Sequence, residues 1–336
     1  MDSTYAIQLL SPLSESTTDT ALPPKKIRVL TLNLFLRPPL IKNNKSDYKD
    51  ERLTYFINEI LDSYDLICLQ EVFGTLTRRR NRLIKSAVQA GFYFSQSPAP
   101  SFWSNQITDG GLLVLSRFPI IEQDFQGFYN GMGPDLFTFK GVIYCKISIS
   151  GETAHVFSTH TQASYHTDDA KLFQYYRNIR RNQLKVMKSF IDVKTQDSKD
   201  LVLVLGDMNV DGREKLKDPV FPTVECQDDY EQMISILFGD SLCNYKDLIR
   251  SKYGFSPTTF GKVLPNGEPE ETVLSHIDEA SKDLSLDYIF AMNLESSAFD
   301  YSVSDTYVEP FYVSNKHFTR VSDHYGIQTC LYLKTS

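Results

Sequence analysis

The sequence predicts an α+β protein in which two packed β-sheets are flanked by helices. Short apolar runs of strand length recur along the chain, and patterns of helical period lie between them. Their order is β, α, β, α, then a stretch dominated by strands, then α and β again, which suits two packed sheets. The chain has 336 residues, 41% of them apolar, so it can bury one large core, and no linker rich in Gly, Pro or Ser divides it.

Eight apolar runs rich in Val, Ile and Leu are predicted to be strands because of their length. They cover residues 27–34, 66–69, 112–115, 142–149, 155–159, 201–205, 286–291 and 326–333. The run at 201–205 is apolar enough to be covered on both faces. Helices are predicted from apolar residues at helical spacing over residues 51–64, 76–90, 175–193 and 228–238.

We expect one catalytic domain over residues 26–336, preceded by a flexible tail over residues 1–25. The tail is rich in Ser and Thr, and it lacks the charged start and apolar core of a secretory signal. The long connections after Arg37 and after Ser97 are candidates for substrate contact, because binding residues often lie on loops.

Charge and composition narrow the class of protein. The formal net charge is −7 and the isoelectric point is about 5.5, whereas holding nucleic acid mainly by phosphate neutralisation needs a basic surface. The arginines at 78–80, 177 and 180–181 fall in helical patterns and are interpreted as solvated helix faces, with a phosphate-binding patch as the alternative.

No apolar run is long enough to cross a bilayer. The five cysteines show no metal-type spacing, and because the set is odd in number and sparse it favours a reducing compartment.

Two strand-associated polar residues are candidates for a metal site. Glu71 ends an apolar run where a buried strand reaches the surface. Mg²⁺ takes one or two protein carboxylates and otherwise water and substrate oxygens, so a single glutamate there suits it. Asn33 lies inside an apolar strand, where its carboxamide must find partners. A solvated turn at Glu71 and a satisfied core amide at Asn33 are the alternatives.

Asp207 and Asn209 close the apolar run 201–205. Separated by one residue, they point to the same side of an extended backbone. We expect Asp207 to orient or polarise a water, and Asn209 to donate an amide hydrogen bond to a phosphate oxygen. An Asx turn after the strand is the alternative interpretation.

Two histidines lie at strand ends. Asp323 and His324 stand just before the last predicted strand, and Asp287 lies where it can hold the ring of His324 in one tautomer. Asp323 is then free to point to a metal or a water. His160 ends the run 155–159, so that one histidine would activate water while the other protonates the leaving oxygen.

These strand-end groups resemble the endonuclease/exonuclease/phosphatase superfamily. The resemblance rests on Asn33, Gln70-Glu71, Thr159-His160, Gly206-Asp207-Met208-Asn209, Asp287 and Ser322-Asp323-His324. It implies a four-layer αββα sandwich of the DNase I-like type, with two mainly antiparallel sheets and Mg²⁺ at one end. Mn²⁺ and Co²⁺ are the implied substitutes for Mg²⁺.

Four further segments resemble neutral sphingomyelinases, especially the bacterial type C enzymes. They are residues 109–120, 133–135, 140–144 and 160–164. This resemblance implies a Mg²⁺-dependent sphingomyelin phosphodiesterase of phospholipase C type, which releases ceramide and phosphocholine by in-line attack of water. A DNA or RNA phosphodiesterase of the same fold is the alternative, and a scaffold that had lost catalysis would lack one of the polar groups.

The resemblance also implies roles for single residues. The metal ligands would be Glu71, Asn33 and Asp323. Activation and positioning of water would fall to His324 with Asp287, and to Asp207 with Asn209. His160 would stabilise the transition state or protonate the leaving oxygen, and Asp109 would orient His160.

Four aromatic residues, Phe102, Trp103, Phe311 and Tyr312, are expected to contact the membrane or the substrate, because Trp and Tyr favour the headgroup zone. Ordinary packing is the alternative for each of them. The expected partner is a sphingomyelin-containing membrane surface, approached by a monomer, and nucleic acid is not an expected partner. The expected location is cytoplasmic or peripheral to the membrane, with secretion as the alternative.

Overall fold

Two β-sheets packed face to face, with helices on their outer faces, form the protein. The computed structural model describes residues 26–39, 41–42, 44, 46–165, 169–213, 229–239 and 245–334. The tail expected over residues 1–25 lies outside these residues.

The strands and helices follow the predicted order. The strands are β1 (Ile27–Leu36), β2 (Leu66–Val72), β3 (Tyr93–Gln96), β4 (Thr108–Asp109), β5 (Leu113–Ser116), β6 (Ile120–Gly127), β7 (Thr138–Phe139), β8 (Gly141–Ile149), β9 (Glu152–His160), β10 (Leu201–Asp207), β11 (Tyr245–Asp247), β12 (Asp287–Met292), β13 (Phe299–Tyr301), β14 (Tyr307–Glu309) and β15 (Gly326–Leu333). The helices are α1 (Lys49–Tyr55), α2 (Arg79–Gln89), α3 (Ala170–Thr195), α4 (Asp229–Phe238), α5 (Leu248–Tyr253) and α6 (Ile277–Ala280). A π-helical turn over Phe56–Ile60 continues α1.

Within the described residues, the first sheet has the order β13-β15-β1-β2-β5-β3, with β14 also paired to β15. The second sheet has the order β11-β12-β10-β9-β8-β6, and β4 and β7 form a small separate pair. In the two large sheets, β1 with β2 and β9 with β10 are parallel, and the other paired strands are antiparallel. The sheets are therefore mainly antiparallel, as predicted.

Three apolar clusters fill the space between the layers. The first lies between the sheets and joins Val29 of β1 to Leu203 of β10. The second packs the other face of β1, through Leu30, on Leu83 of α2. The third packs the second sheet on α3 and α4, with Met187 at its centre. Successive residues of a strand point to opposite faces, so each central strand contributes to two clusters. The predicted four-layer αββα sandwich is confirmed.

Strand β6 was not predicted, because its residues 120–127 do not form a continuous apolar run. It is an edge strand that pairs only with β8 among the described residues. Its charged residues Glu122 and Asp124 lie close to Lys194 of α3, with oxygen to Nζ distances of 3.0 and 2.9 Å. Charged side chains on an edge strand protect it from pairing with another chain.

The expectation of solvated arginines on α3 is wrong for Arg177 and Arg180, which are buried. Arg180 donates to the carbonyl of Gln162 at 3.0 Å and to Oγ of Ser164 at 2.7 Å. Arg177 pairs with Asp229 of α4, with Nε 2.8 Å from Oδ1. These arginines fasten α3 to the segment that follows β9 and to α4. None of the described helices combines the length and apolar character that a membrane span requires.

Candidate active site

Strand register brings the predicted polar residues to one end of the sandwich. In parallel pairs, Asn33 of β1 lies beside Gln70 of β2, and His160 of β9 lies beside Asp207 of β10. In the antiparallel pair of β10 and β12, Asp207 lies beside Asp287. The carboxyl ends of parallel strands meet at one sheet edge, and both sheets present this edge to the same side of the molecule.

Asn33 joins the two sheets at this end. Its Nδ2 donates to Glu71 Oε1 at 3.2 Å and to Asp207 Oδ2 at 3.1 Å. Its Oδ1 accepts from the backbone N–H of Phe35 at 3.1 Å. The residue is fully buried, so its amide group is satisfied by two carboxylates that come from different sheets.

Glu71 has the features of a cation ligand. Its Oε2 is buried and has no hydrogen-bond partner, and a buried carboxylate oxygen without a donor is costly unless a cation satisfies it. The backbone of Glu71 has φ 55°, a strained conformation of the kind found at functional sites. Gly111 lies directly against it, since a Cβ at this glycine would be 3.1 Å from Glu71 Cα.

His324 lies between two carboxylates. Its Nδ1 is 2.9 Å from Asp287 Oδ2, and its Nε2 is 3.7 Å from Asp207 Oδ2. Burial lowers the pKa of His324, but the negative charges of Asp287 and Asp207 outweigh it and raise the pKa to about 10. The predicted pairing of Asp287 with His324 is present, and the two carboxylates favour the protonated imidazolium over the neutral ring.

Asp207 is the central carboxylate of the site. Burial raises its pKa to about 6, although the charge of His324 opposes this shift. Its Oδ1 accepts from the backbone N–H of Asn209 at 2.9 Å, an Asx-type turn. The side chain of Asn209 donates to the carbonyl of Thr161 at 3.2 Å. An amide nitrogen carries two hydrogens, so Asn209 keeps a second N–H for another acceptor.

His160 also lies close to Asp207 Oδ2, with its Nε2 at 3.4 Å. The same Nε2 is 3.2 Å from Nζ of Lys140. Burial and the charges of Lys140 and His324 hold the pKa of His160 well below its ordinary value. The ring is therefore neutral, and its Nδ1 is buried without a partner. When Lys140 donates to Nε2, the ring proton resides on Nδ1.

Sequence reasoning did not assign Lys140 and Asp135 to the site. Nζ of Lys140 lies 2.9 Å from Asp135 Oδ1 and donates to the carbonyl of Thr161 at 2.8 Å. Both side chains are buried. The available signal was the position of Lys140, a charged residue immediately before the apolar strand β8, because buried lysines need a partner.

Asp323 is buried beside the site and receives hydrogen bonds from Ser275 and Ser322, both at 3.3 Å. Burial, with a contribution from the charge of Glu71, raises its pKa to about 6 against the opposing charge of His324. Nearby, the fully buried Arg52 donates to the carbonyls of Leu34 at 2.9 Å and Val321 at 2.6 Å. One guanidinium therefore holds the end of β1 against the segment that carries Asp323.

The expectation that Asp109 orients His160 is wrong, because the carboxylate has other partners. It lies 2.8 Å from Nη1 of Arg80 and accepts from the backbone N–H of Gly74 at 3.0 Å. It also accepts from the backbone N–H of Gly111 at 2.9 Å. Asp109 instead fixes the loop that follows Glu71.

The four predicted membrane-contacting aromatic residues differ in exposure. Phe102 and Trp103 are each 90% exposed and stack edge-to-face on each other at 5.2 Å. Phe311 packs beside the buried ring of Tyr64 at 6.4 Å and against the second cluster, which corrects the expectation of a free anchoring side chain. Tyr312 is exposed, and its hydroxyl donates to Glu270 at 3.0 Å.

The donor set fits a hard divalent cation. Glu71 offers a free buried carboxylate oxygen, and among the described residues Oε1 of the adjacent Gln70 and Oδ1 of Asp287 are also buried acceptors without a partner. Among the described residues, Asp207, Asp287 and His324 also bring potential ligand atoms within 4.8 Å of one another. Both nitrogens of His324 already face carboxylates in that group, so Glu71 is the better candidate ligand.

Comparison with known proteins agrees with this fold. A model described as the Endonuclease/Exonuclease/phosphatase family matches residues 30–324. A sphingomyelinase of Dictyostelium discoideum is 33% identical over an alignment, gaps included, of 371 positions that covers 91% of this chain and 79% of the relative. A sphingomyelinase C of Bacillus cereus is 31% identical over 74% of this chain and 82% of its own length. A mutant beta toxin of Staphylococcus aureus, solved with bound magnesium ions, shares the fold, with a TM-score of 0.62, 21% identity, and coverage of 92% of this chain and 100% of that one.

The fold and the cluster of carboxylates, amides and histidines define a hydrolase of phosphate esters. The chain belongs to the Endonuclease/Exonuclease/phosphatase family. Within this family it is a phosphoric diester hydrolase of the sphingomyelinase and phospholipase C group.

Proposed function

We propose that this protein is a Mg²⁺-dependent phosphodiesterase of phospholipase C type that hydrolyses sphingomyelin to ceramide and phosphocholine. The observation that carries the proposal is the link from Glu71 through Asn33 to Asp207 and on to His324, with distances of 3.2, 3.1 and 3.7 Å. The names of two relatives, a sphingomyelinase of Dictyostelium discoideum and a sphingomyelinase C of Bacillus cereus, support the choice of substrate.

Glu71 would hold the cation, assisted by Asn33, which orients its carboxylate, and by Asp323. A bound Mg²⁺ would polarise a phosphoryl oxygen and stabilise negative charge on the leaving oxygen. The magnesium ions in the Staphylococcus aureus beta toxin structure support this choice of metal. Since one or two carboxylates and several waters suit Mg²⁺, we expect Mn²⁺ and Co²⁺, which accept similar ligands, to replace it.

With the cation bound, its positive charge would oppose that of the carboxylates and lower the pKa of His324, and the neutral ring would remove a proton from the attacking water. Asp287 holds Nδ1 at 2.9 Å, so Nε2 is the nitrogen that accepts the proton, and the carboxylates of Asp287 and Asp207 stabilise the imidazolium that forms. The free N–H of Asn209 would donate to a phosphoryl oxygen. His160 is neutral, so it would donate a hydrogen bond to the phosphoryl group or the leaving oxygen.

The test is release of phosphocholine from vesicles of sphingomyelin and, separately, of phosphatidylcholine, with Mg²⁺ and with EDTA. We expect turnover of sphingomyelin that requires the metal and resumes when Mg²⁺, Mn²⁺ or Co²⁺ is restored. Cleavage of plasmid DNA with no release of phosphocholine would instead identify a nuclease of the same fold. Sedimentation of the purified chain tests the accompanying proposal that it acts as a monomer.

A further inference from the structure

Two neighbouring loops beside the candidate active site carry exposed apolar side chains. Loop 99–107 carries Phe102, Trp103 and Ile107, and loop 129–137 carries Tyr129, Leu136 and Phe137. Phe102 and Trp103 are 90% exposed and Tyr129 is 81% exposed. Large apolar side chains normally avoid such exposure in groups, and a rimmed group of them marks an interaction surface. We call this group of six side chains the apolar platform.

The two loops are held together as one surface. The backbone N–H of Ile107 donates to the carbonyl of Phe137 at 2.8 Å, and β4 pairs with β7 immediately beyond. The side chain of Gln106 donates to the carbonyl of Phe128 at 3.1 Å. The backbone N–H of Met132 donates to Gln162 at 2.8 Å, which anchors the second loop to the body of the protein. The two loops are therefore fixed by backbone hydrogen bonds and by the side chains of Gln106 and Gln162, while the large apolar side chains of the platform remain exposed.

Both loops lead directly into the catalytic centre. Loop 99–107 continues through β4 to Gly111, which lies against Glu71. Loop 129–137 continues through β7 to Lys140, whose Nζ is 3.2 Å from His160. A surface seated on the platform would therefore lie beside the phosphodiester-cleaving site.

The platform lacks charge. Residues 92–108 contain no Asp, Glu, Lys, Arg or His, and neither do residues 125–134. The one acidic residue of the second loop, Asp135, is buried and paired with Lys140 at 2.9 Å. Binding to an acidic membrane or to nucleic acid would use Lys and Arg at the contact. An uncharged aromatic surface instead matches the headgroup zone of a net-neutral bilayer, where Trp and Tyr are favoured.

We propose that the apolar platform is the membrane-docking surface of this protein, and that its occupant is the interface of a zwitterionic, choline-headgroup bilayer. The inference rests on the proposed function for the choice of a lipid surface. Docking inserts the aromatic tips of both loops into the headgroup zone and presents the active site to a lipid phosphodiester. Binding strength then follows the apolar area buried and not the charge of the lipid.

The test measures co-sedimentation with vesicles of phosphatidylcholine and sphingomyelin in EDTA, so that binding is separated from turnover. The double variant Phe102→Ser/Trp103→Ser is compared with the matched control Tyr253→Ser/Phe255→Ser, an exposed aromatic pair with ring centroids 6.0 Å apart. We expect about 10-fold weaker binding or more for the platform variant, since each 1.4 kcal/mol of lost apolar transfer is a factor of about ten. The control should bind as the wild type does.

Trp103 is the only tryptophan of the chain, so the tryptophan fluorescence of the wild-type protein measures docking at the platform directly. We expect its fluorescence emission to shift to shorter wavelength with neutral vesicles and to be quenched by lipids brominated near the headgroup. Thermal unfolding establishes that the platform variant is folded. Equal binding by both double variants, no binding by the wild type, or binding only to vesicles that contain phosphatidylserine would each overturn the proposal. These measurements do not depend on hydrolysis. They therefore test the docking surface even if sphingomyelin proves not to be the substrate.

Discussion

Nδ1 of His324 lies 2.9 Å from Oδ2 of Asp287, and both side chains are buried. This contact leaves Nε2 as the ring nitrogen that can accept a proton, because the nitrogen held by the carboxylate is not available. The two residues come from different sheets, Asp287 from β12 and His324 from the segment just before β15. The orientation of His324, the proposed catalytic base, therefore depends on how the sheets are packed.

Asp287→Asn tests this orientation. An amide can hold the ring of His324 in the wrong tautomer and cannot stabilise the imidazolium, so we expect kcat to fall by roughly 10³ to 10⁴ while the fold is retained, by analogy with the equivalent change in a serine protease triad. Asp300→Asn, at an exposed position on β13, is the matched control. A kcat within a few-fold of the wild-type value for Asp287→Asn would remove Asp287 from the mechanism.

Glu71→Gln tests the cation site. The amide keeps the size of the side chain and loses the negative charge, so we expect Mg²⁺ affinity, measured by isothermal titration calorimetry, to fall at least about tenfold. Turnover should fall with it and be partly restored at high Mg²⁺ concentration. Glu295→Gln, at an exposed position, should leave both quantities unchanged. Unaltered Mg²⁺ affinity in Glu71→Gln would place the cation elsewhere.

Lys140→Met tests the buried ion pair beside His160. The change leaves Asp135 buried without its cation, and breaking such a pair costs about 3–5 kcal/mol of unfolding free energy. Urea unfolding measures this cost. In the double variant Lys140→Met/Asp135→Asn neither charge remains, so we expect a good part of the loss to be recovered. If the losses in unfolding free energy of Lys140→Met and Asp135→Asn add up to that of the double variant, the two residues are not coupled.

His155, which lies away from the candidate active site, is expected to make a pH-dependent contribution to the free energy of unfolding. It is buried against Tyr144 at 2.9 Å, and burial together with the charge of Lys146 lowers its pKa. The unfolded chain then binds a proton that the folded chain excludes, so this contribution is present above the ordinary histidine pKa of about 6.5 and is lost as the pH falls through the lowered folded pKa.

Urea unfolding at pH 7.5 and at pH 5.5 measures the effect. We expect His155→Gln to lose less stability between the two pH values than the wild type does. His317→Gln, at an exposed position, should follow the wild type. An identical pH dependence in all three proteins would show that His155 does not titrate differently on folding.

Much of the fold could be predicted from the sequence because the core is built from periodic apolar runs. Strand β10 has seven buried residues, Leu201–Asp207, and its apolar run identifies a central strand. Edge strand β6 was not predicted, because half-exposed polar residues such as Gln123 interrupt the apolar run by which the other strands were recognised. Arg180 was misread because a charged residue on a helix is usually solvated, and only the tertiary structure shows the carbonyl of Gln162 that it binds.

Part of the candidate site could likewise be predicted from the sequence, and part could not. Residue type and strand-end position identified His324, Asp207 and Asn33, because their chemistry is unusual at the end of an apolar run. The assignment of Asp109 to His160 failed because pairing across loops depends on backbone paths that sequence spacing does not encode. Its carboxylate is taken by Arg80 and by backbone groups near Gly74.

The position of β15 has a consequence for how the candidate site is held together. This strand lies between β13 and β1 in the first sheet, and His324 lies just before it. Glu71 belongs to β2, which pairs with β1 on its other side. Detachment of β15 from the sheet would therefore leave Glu71 in place and release His324 from Asp287, so the two halves of the site depend on different strand pairings.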